Sequence, residues 1–179
     1  MLSLEKIFEK QDIDCSYSNI QIDMHDKFAQ EVIDWSASNI IDKIVYDKEG
    51  KYGREDEIHC TILCGILDKD PEKIRKLSKF LKPFAIKIGT MSAFRSKEYD
   101  VLKLEVISGE LHKIQRAIES NIPNHNTYLD YYPHITISYV NKNSVDNFIG
   151  NNNFEGRIFK VNTITFSSKD GFKEKLRLV

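Results

Sequence analysis

"EIHCTILCGI" (residues 57–66) and "YPHITISYV" (residues 132–140) nearly repeat one another: each places a histidine, skips one residue, places a threonine and runs on into apolar residues. Five histidines and a threonine frequency of roughly 3% give about 0.2 His-x-Thr matches by chance, so a repeated match in matching apolar context carries information. Both stretches read as strands. Residues two apart on a strand point the same way. His59, Thr61 and Leu63 are therefore expected on one face and Cys60, Ile62 and Cys64 on the other. At the second site His134, Thr136 and Ser138 are expected opposite Ile135, Ile137 and Tyr139. This pattern predicts a sheet whose back packs on helices and whose front presents imidazoles and hydroxyls to a groove.

The chain around the motifs alternates between strand and helix patterns. "SYSNIQIDM" from Ser16 has period two, with Ile20 and Ile22 opposite Tyr17, Asn19 and Gln21. A helix is predicted from Asp26 as N-cap, with Phe28, Ile33, Ala37, Ile40, Ile41 and Ile44 as its apolar stripe and Trp35 in the core. A polar loop spans residues 46 to 57. Pro71 opens a helix over 71–82. Strands are predicted near "PFAIKIGTMSAF" (83–94) and "YDVLKLEVI" (99–107), followed by a helix capped by Ser108 that stops before Pro123. A short polar helix and the closing strands follow the second motif. No Gly/Pro/Ser-rich linker interrupts the alternation, so residues 1–179 are expected to form a single α+β domain of two similar lobes, one His-x-Thr motif in each.

Composition narrows the function. With 26 Lys+Arg against 27 Asp+Glu the net charge is −1, which leaves no excess of positive charge to hold long double-stranded nucleic acid by counterion release. A small nucleotide needs only a few local donors. The apolar runs are strand-sized and the first residues lack a secretory pattern, so a soluble, cytoplasmic protein without membrane contact is expected. Cys15, Cys60 and Cys64 lack the spacing of a zinc site and are expected to be reduced and half-buried.

The paired motifs resemble the two-histidine (2H) phosphoesterase superfamily. The likeness extends over most of the chain, through "GREDEIHCTILCGI", "YYPHITISYV" and the closing "ITFSSKDG". It implies a bilobal, pseudo-symmetric fold of two antiparallel sheets forming a central cleft, with helices on the outer faces. It implies His59, Thr61, His134 and Thr136 as catalytic residues, with neither metal nor cofactor. Ile58 stands where many relatives have proline, which leaves the chemistry unaffected. The acidic lead-in is similar to 2′-5′ RNA ligase-like proteins and to phage nucleases that destroy the cyclic oligonucleotide signals of bacterial antiviral (CBASS) defence. If the chain is viral, the host cytoplasm is its compartment.

The residue types suit that chemistry. Cleaving an RNA-type phosphodiester needs one proton removed and one delivered on opposite sides of phosphorus, and imidazole titrates near neutrality. Each threonine hydroxyl, about 6–7 Å along the strand from its histidine, can donate to a non-bridging oxygen. The near-symmetry leaves open which histidine is base; the resemblance assigns that role to His59 and the acid role to His134. Tyr17 and Phe94 are candidates to stack on bases, and Arg54 and Lys103 to supply positive potential near a phosphate. His25 and His112 are read as solvent-facing and His125 as a loop residue. The expected partner is a cyclic di- or trinucleotide or an RNA 3′ end, with a 2′,3′-cyclic phosphodiesterase, a 2′-5′ ligase and a non-catalytic nucleotide sponge as alternatives. Base preference, linkage preference and oligomeric state stay open.

Overall fold

The computed structural model describes residues 17–126 and 130–179. Eight strands and three helices follow the chain as β1 (Ser18–Asp23), α1 (Asp26–Asn39), β2 (His59–Ile66), α2 (Glu72–Ser78), β3 (Phe84–Arg95), β4 (Tyr99–Ile107), α3 (Gly109–Asn121), β5 (His134–Asn141), β6 (Ile158–Val161), β7 (Thr163–Ser167) and β8 (Lys173–Arg177). The two motifs occupy β2 and β5. All pairings are antiparallel, in the order β6-β3-β4-β5-β2-β1-β7-β8.

The expectation of two sheets is therefore corrected to one curled, eight-stranded half-barrel. Its halves meet where β2 and β5 pair at Cys60↔Ile135. Joining there spares the innermost strand of each half an unpaired edge. Beyond the junction the two motif strands part, and the loop before β2 takes up the freed edge of β5. Glu55 N–H donates to Ile137 O and Tyr139 N–H to Gly53 O.

Apolar residues hold one face of the sheet against the helices. Ile20, Ile22, Cys60, Leu63, Leu102, Leu104 and Ile135 are all buried. Each aliphatic side chain so withdrawn contributes about 1.5–3 kcal/mol, which makes a slip of either motif strand costly. α3 lies against β2 and β3, presenting Leu111, Ile114 and Ile118. Ser108 Oγ caps this helix by accepting from Leu111 N–H at 3.3 Å, as its position predicts.

Several predicted boundaries move. α1 is capped by His25, whose Nδ1 accepts from Lys27 N–H, rather than by Asp26. It ends at Asn39, where Ile40 turns extended, so Ile41 and Ile44 lie outside it and Ile41 is exposed. Its buried stripe is Phe28, Val32 and Ser36, and Ala37 is exposed. Trp35 does join the core, edge-on to Phe148 and Phe154. The polar helix expected after β5 is a series of turns, and α2 is shorter than the predicted 71–82. His112 is half-buried against the Tyr131 ring rather than solvent-facing, His25 is exposed, and His125 lies in the loop after α3. Cys60 is fully buried and Cys64 half-buried, neither joined in a disulfide; Cys15 lies outside the described residues. Among the described residues no helix is long and apolar enough to cross a membrane.

Register separates the outcome from simple alternation. Gln21 pairs with Thr61 but Ile20 with Leu63, so Ile62 is an extra residue in β2. Lys103 pairs with Thr136 but Leu102 with Ser138, so Ile137 is an extra residue in β5. Each motif thus carries a bulge immediately after its threonine, and the side chains beyond it exchange faces. Leu63, expected beside His59 and Thr61, lies opposite Ile20 in the core. Ser138 likewise leaves the His134/Thr136 face, and Tyr139, expected on the back, joins the front opposite Val101. There its ring meets those of Tyr52 and Tyr99.

Near the end of the first motif strand Gly65 has φ +75°, and a Cβ there would stand 3.1 Å from the His125 backbone carbonyl. His125 N–H donates to Gly65 O at 2.8 Å, so the loop after α3 presses directly on this residue. Gly65→Ala should destabilise the protein by about 1–3 kcal/mol, lowering the thermal midpoint by about 2–4 °C per kcal/mol. A midpoint equal to wild type would show that the close approach is relieved without cost.

Candidate active site

At the junction of the two halves, Cys60 faces Ile135 across the β2–β5 pair. Carried one residue further each way, that antiparallel register would bring His59 beside Thr136 and Thr61 beside His134. At ordinary strand spacing such neighbours stand about 4.5–5.5 Å apart at Cβ, and the two histidines fall on a diagonal of about 7–8 Å. That diagonal leaves room for one tetrahedral phosphate between the imidazoles. All four side chains are half-buried, accessible from the helix-free face of the sheet.

Both rings are held in the same way. His59 Nδ1 lies 2.6 Å from Glu57 O, and His134 Nδ1 lies 2.7 Å from Tyr132 O. A carbonyl oxygen only accepts, so each Nδ1 carries a proton and each Nε2 is left to exchange one. The carbonyl just before each histidine is tied to the flanking strand: Met24 N–H donates to Ile58 O at 3.0 Å and Val106 N–H to Pro133 O at 3.1 Å. Tyr131 ties the two motifs together, its hydroxyl donating to Thr61 O at 2.9 Å. Burial, and then the neighbouring Cys60, push the Tyr131 phenol well above its ordinary range, so it remains a neutral donor. Burial also pushes the Cys60 thiol up to about 12, and its position opposite the apolar Ile22 and Ile135 removes it from the chemistry.

The flanking strands extend the near-symmetry. On β1, Asp23 lies opposite His59 and Gln21 opposite Thr61; on β4, Glu105 lies opposite His134 and Lys103 opposite Thr136. Each histidine therefore has a carboxylate residue beside it and each threonine a long polar side chain. Asp23 accepts from Gln21 Nε2 and from Thr165 Oγ1, both at 2.7 Å. Asp23 and Glu105 are absent from the sequence-level candidates because only strand pairing, not spacing, brings them to the motifs.

Of the two predicted stacking residues, the structure brings one to the quartet. Phe94 meets the His134 ring edge-to-face, with centroids 4.8 Å apart. Tyr17 lies just before β1, at the end remote from Asp23, and its ring meets His125 at 5.7 Å. Arg54 is turned away to Ile40 O and Asp42. Among the described residues there is no group of three or more His, Cys, Asp or Glu able to hold a metal ion.

Comparison with known proteins follows the same lines. The family model of the 2′-5′ RNA ligase superfamily matches residues 35–171, a span containing both motifs. No curated protein matches the sequence. Among solved structures, TT0787 of Thermus thermophilus superposes with TM-score 0.61 at 11% identity, covering 90% of this chain and 98% of its own. E. coli LigT complexed with 3′-AMP gives 0.61 at 15%, covering 92% and 95%. Kluyveromyces marxianus Usb1 with uridine monophosphate gives 0.55 at 11%, covering 91% and 98%. At these identities the superpositions establish a shared fold, and with the family match over most of its length the chain belongs to the 2′-5′ RNA ligase (2H phosphoesterase) superfamily.

Proposed function

We propose that the protein is a metal-independent phosphodiesterase acting on RNA-type bonds in small nucleotides, with His59, Thr61, His134 and Thr136 as its catalytic residues. The observation carrying this reading is the quartet itself: two imidazoles on a diagonal, each with Nδ1–H bound to a backbone carbonyl and each beside a threonine. One neutral Nε2 takes the proton of the substrate's 2′-hydroxyl, whose oxygen attacks phosphorus. The other, protonated, gives its proton to the departing 5′-oxygen, and a 2′,3′-cyclic phosphate results. Charge gathering on the non-bridging oxygens is met by the two threonine hydroxyls. The acid–base pair and two donors complete the step from this chain's own side chains.

Cyclic di- or trinucleotide signals, such as those of bacterial antiviral defence, are the favoured substrates. The near-zero net charge suits a short ligand, and the half-buried Tyr52 and Tyr139, packed on the buried Tyr99, offer aromatic surface beyond Thr136. A second reading, cleavage or joining of RNA ends bearing a 2′,3′-cyclic phosphate, draws support from the family description and uses the same four residues.

Purified protein incubated in EDTA with cyclic di- and trinucleotides and with oligonucleotides ending in a 2′,3′-cyclic phosphate tests both. Turnover of a cyclic oligonucleotide at the same rate with and without chelator is expected. Exclusive action on the RNA ends selects the second reading. Quantitative recovery of intact, tightly bound ligand after heat denaturation would make the protein a sponge, and absolute dependence on added Mn²⁺ would remove the mechanism.

A further inference from the structure

Near-symmetry between the halves makes their one chemical difference conspicuous. The position opposite the motif threonine is Gln21 on β1 and Lys103 on β4. Gln21 is neutral, and its amide is satisfied by Asp23. Lys103 is only 6% exposed, yet its ammonium meets one hydrogen-bond acceptor, Ser92 Oγ at 2.7 Å, and stands 4.4 Å from the centroid of the Phe94 ring. Among the described residues no carboxylate lies within 4.0 Å of it. Burial lowers the pKa of this lysine, and Glu105, acting at longer range, offsets that only in part. An ammonium has three protons to donate, and withdrawing one from water without a counter-ion is costly. Such a group on the front of the sheet calls for an anion.

Resting on the phosphodiesterase reading, we propose that Lys103 binds a second phosphate of the substrate, the one neighbouring the phosphate being cleaved. Distance separates these two roles. The cleaved phosphate lies between β2 and β5, whereas the Lys103 ammonium is drawn over Ser92 on β3, two strands beyond β5, or about 10 Å at ordinary strand spacing. Phe94 joins the two positions, with Lys103 over its ring and His134 against it. The aromatic cover keeps water from screening the lysine, which strengthens its attraction for a phosphate oxygen. The enzyme is thereby selective for nucleotides carrying at least two phosphates in sequence, and cyclic di- and trinucleotides satisfy this where a 2′,3′-cyclic mononucleotide does not.

The test compares kcat/KM for cyclic diadenylate with that for 2′,3′-cyclic AMP in wild type, Lys103→Met and Lys103→Arg, with circular dichroism melts to verify folding. Lys103→Met should lower the ratio of the two values about 10-fold, chiefly through KM for the dinucleotide. Lys103→Arg should keep most of the ratio. The salt dependence of log KM for the dinucleotide should lose a slope of about 0.7 in Lys103→Met. An unchanged ratio, or equal losses on both substrates, would overturn the assignment and leave Lys103 a structural residue. Should wild type turn over neither compound, the catalytic reading fails separately. Calorimetry with 5′-phosphorylated linear diadenylate and with AMP then decides: tighter dinucleotide binding that Lys103→Met abolishes supports the second-phosphate site, and equal binding by both proteins overturns it.

Discussion

His59→Ala and His134→Ala are each expected to lower turnover of the best substrate by about 10²–10⁴-fold while leaving binding measurable. The double variant should be only slightly worse than the poorer single one, because on the proposed mechanism both imidazoles serve a single displacement. Single-turnover rates with saturating enzyme measure this directly. Their pH dependence adds the assignment that near-symmetry withholds. A general base must be deprotonated, so its removal abolishes the rising, low-pH limb of the profile; a general acid must be protonated, so its removal abolishes the falling, high-pH limb. Wild type should show both limbs. A loss below 10-fold in either variant, or a monotonic wild-type profile, would mean that the diagonal pair does not flank the reacting phosphorus.

Thr61→Val and Thr136→Val are expected to cost about 10²–10³-fold in kcat with KM changed little. Valine retains the shape of the side chain and removes the donor to an oxygen that becomes more negative as the reaction proceeds. Serine at either position should restore most of the rate. On the proposed mechanism the continued register has a second consequence: with Thr61 beside His134 and Thr136 beside His59, each hydroxyl would serve the phosphate next to the other motif's imidazole. A valine variant retaining more than a third of the wild-type kcat would show that its hydroxyl only supports the strand.

Much of this site is visible in the sequence because its signals are local. A histidine and a threonine two residues apart on an apolar strand declare one face without reference to any partner, and both pairs do reach one junction. Ser108 caps α3 through a side chain bonded three residues away, again a local event. What escaped depends on pairing between distant segments. Ile62 and Ile137 look like any other strand isoleucine, and only the counts on β1 and β4 make them surplus. Asp23 and Glu105 enter the site through the same pairings. The edge-to-edge meeting of β2 with β5, which makes one sheet of an expected two, joins residues 75 positions apart and has no counterpart in local periodicity. Tyr17 satisfied the alternation yet lies at the wrong end of its strand, because alternation gives a face but not a distance.

The paired bulges give evolution a lever of a single codon. Deleting Ile137 would leave His134 and Thr136 in place and close the ladder, with Ser138 still opposite Leu102 and Tyr139 still opposite Val101. An equivalent loss of Ile62 would keep Leu63 opposite Ile20 in the core. Each bulge thus lets the loss of one residue change the bend and twist of a motif strand without exchanging the side chains beyond it.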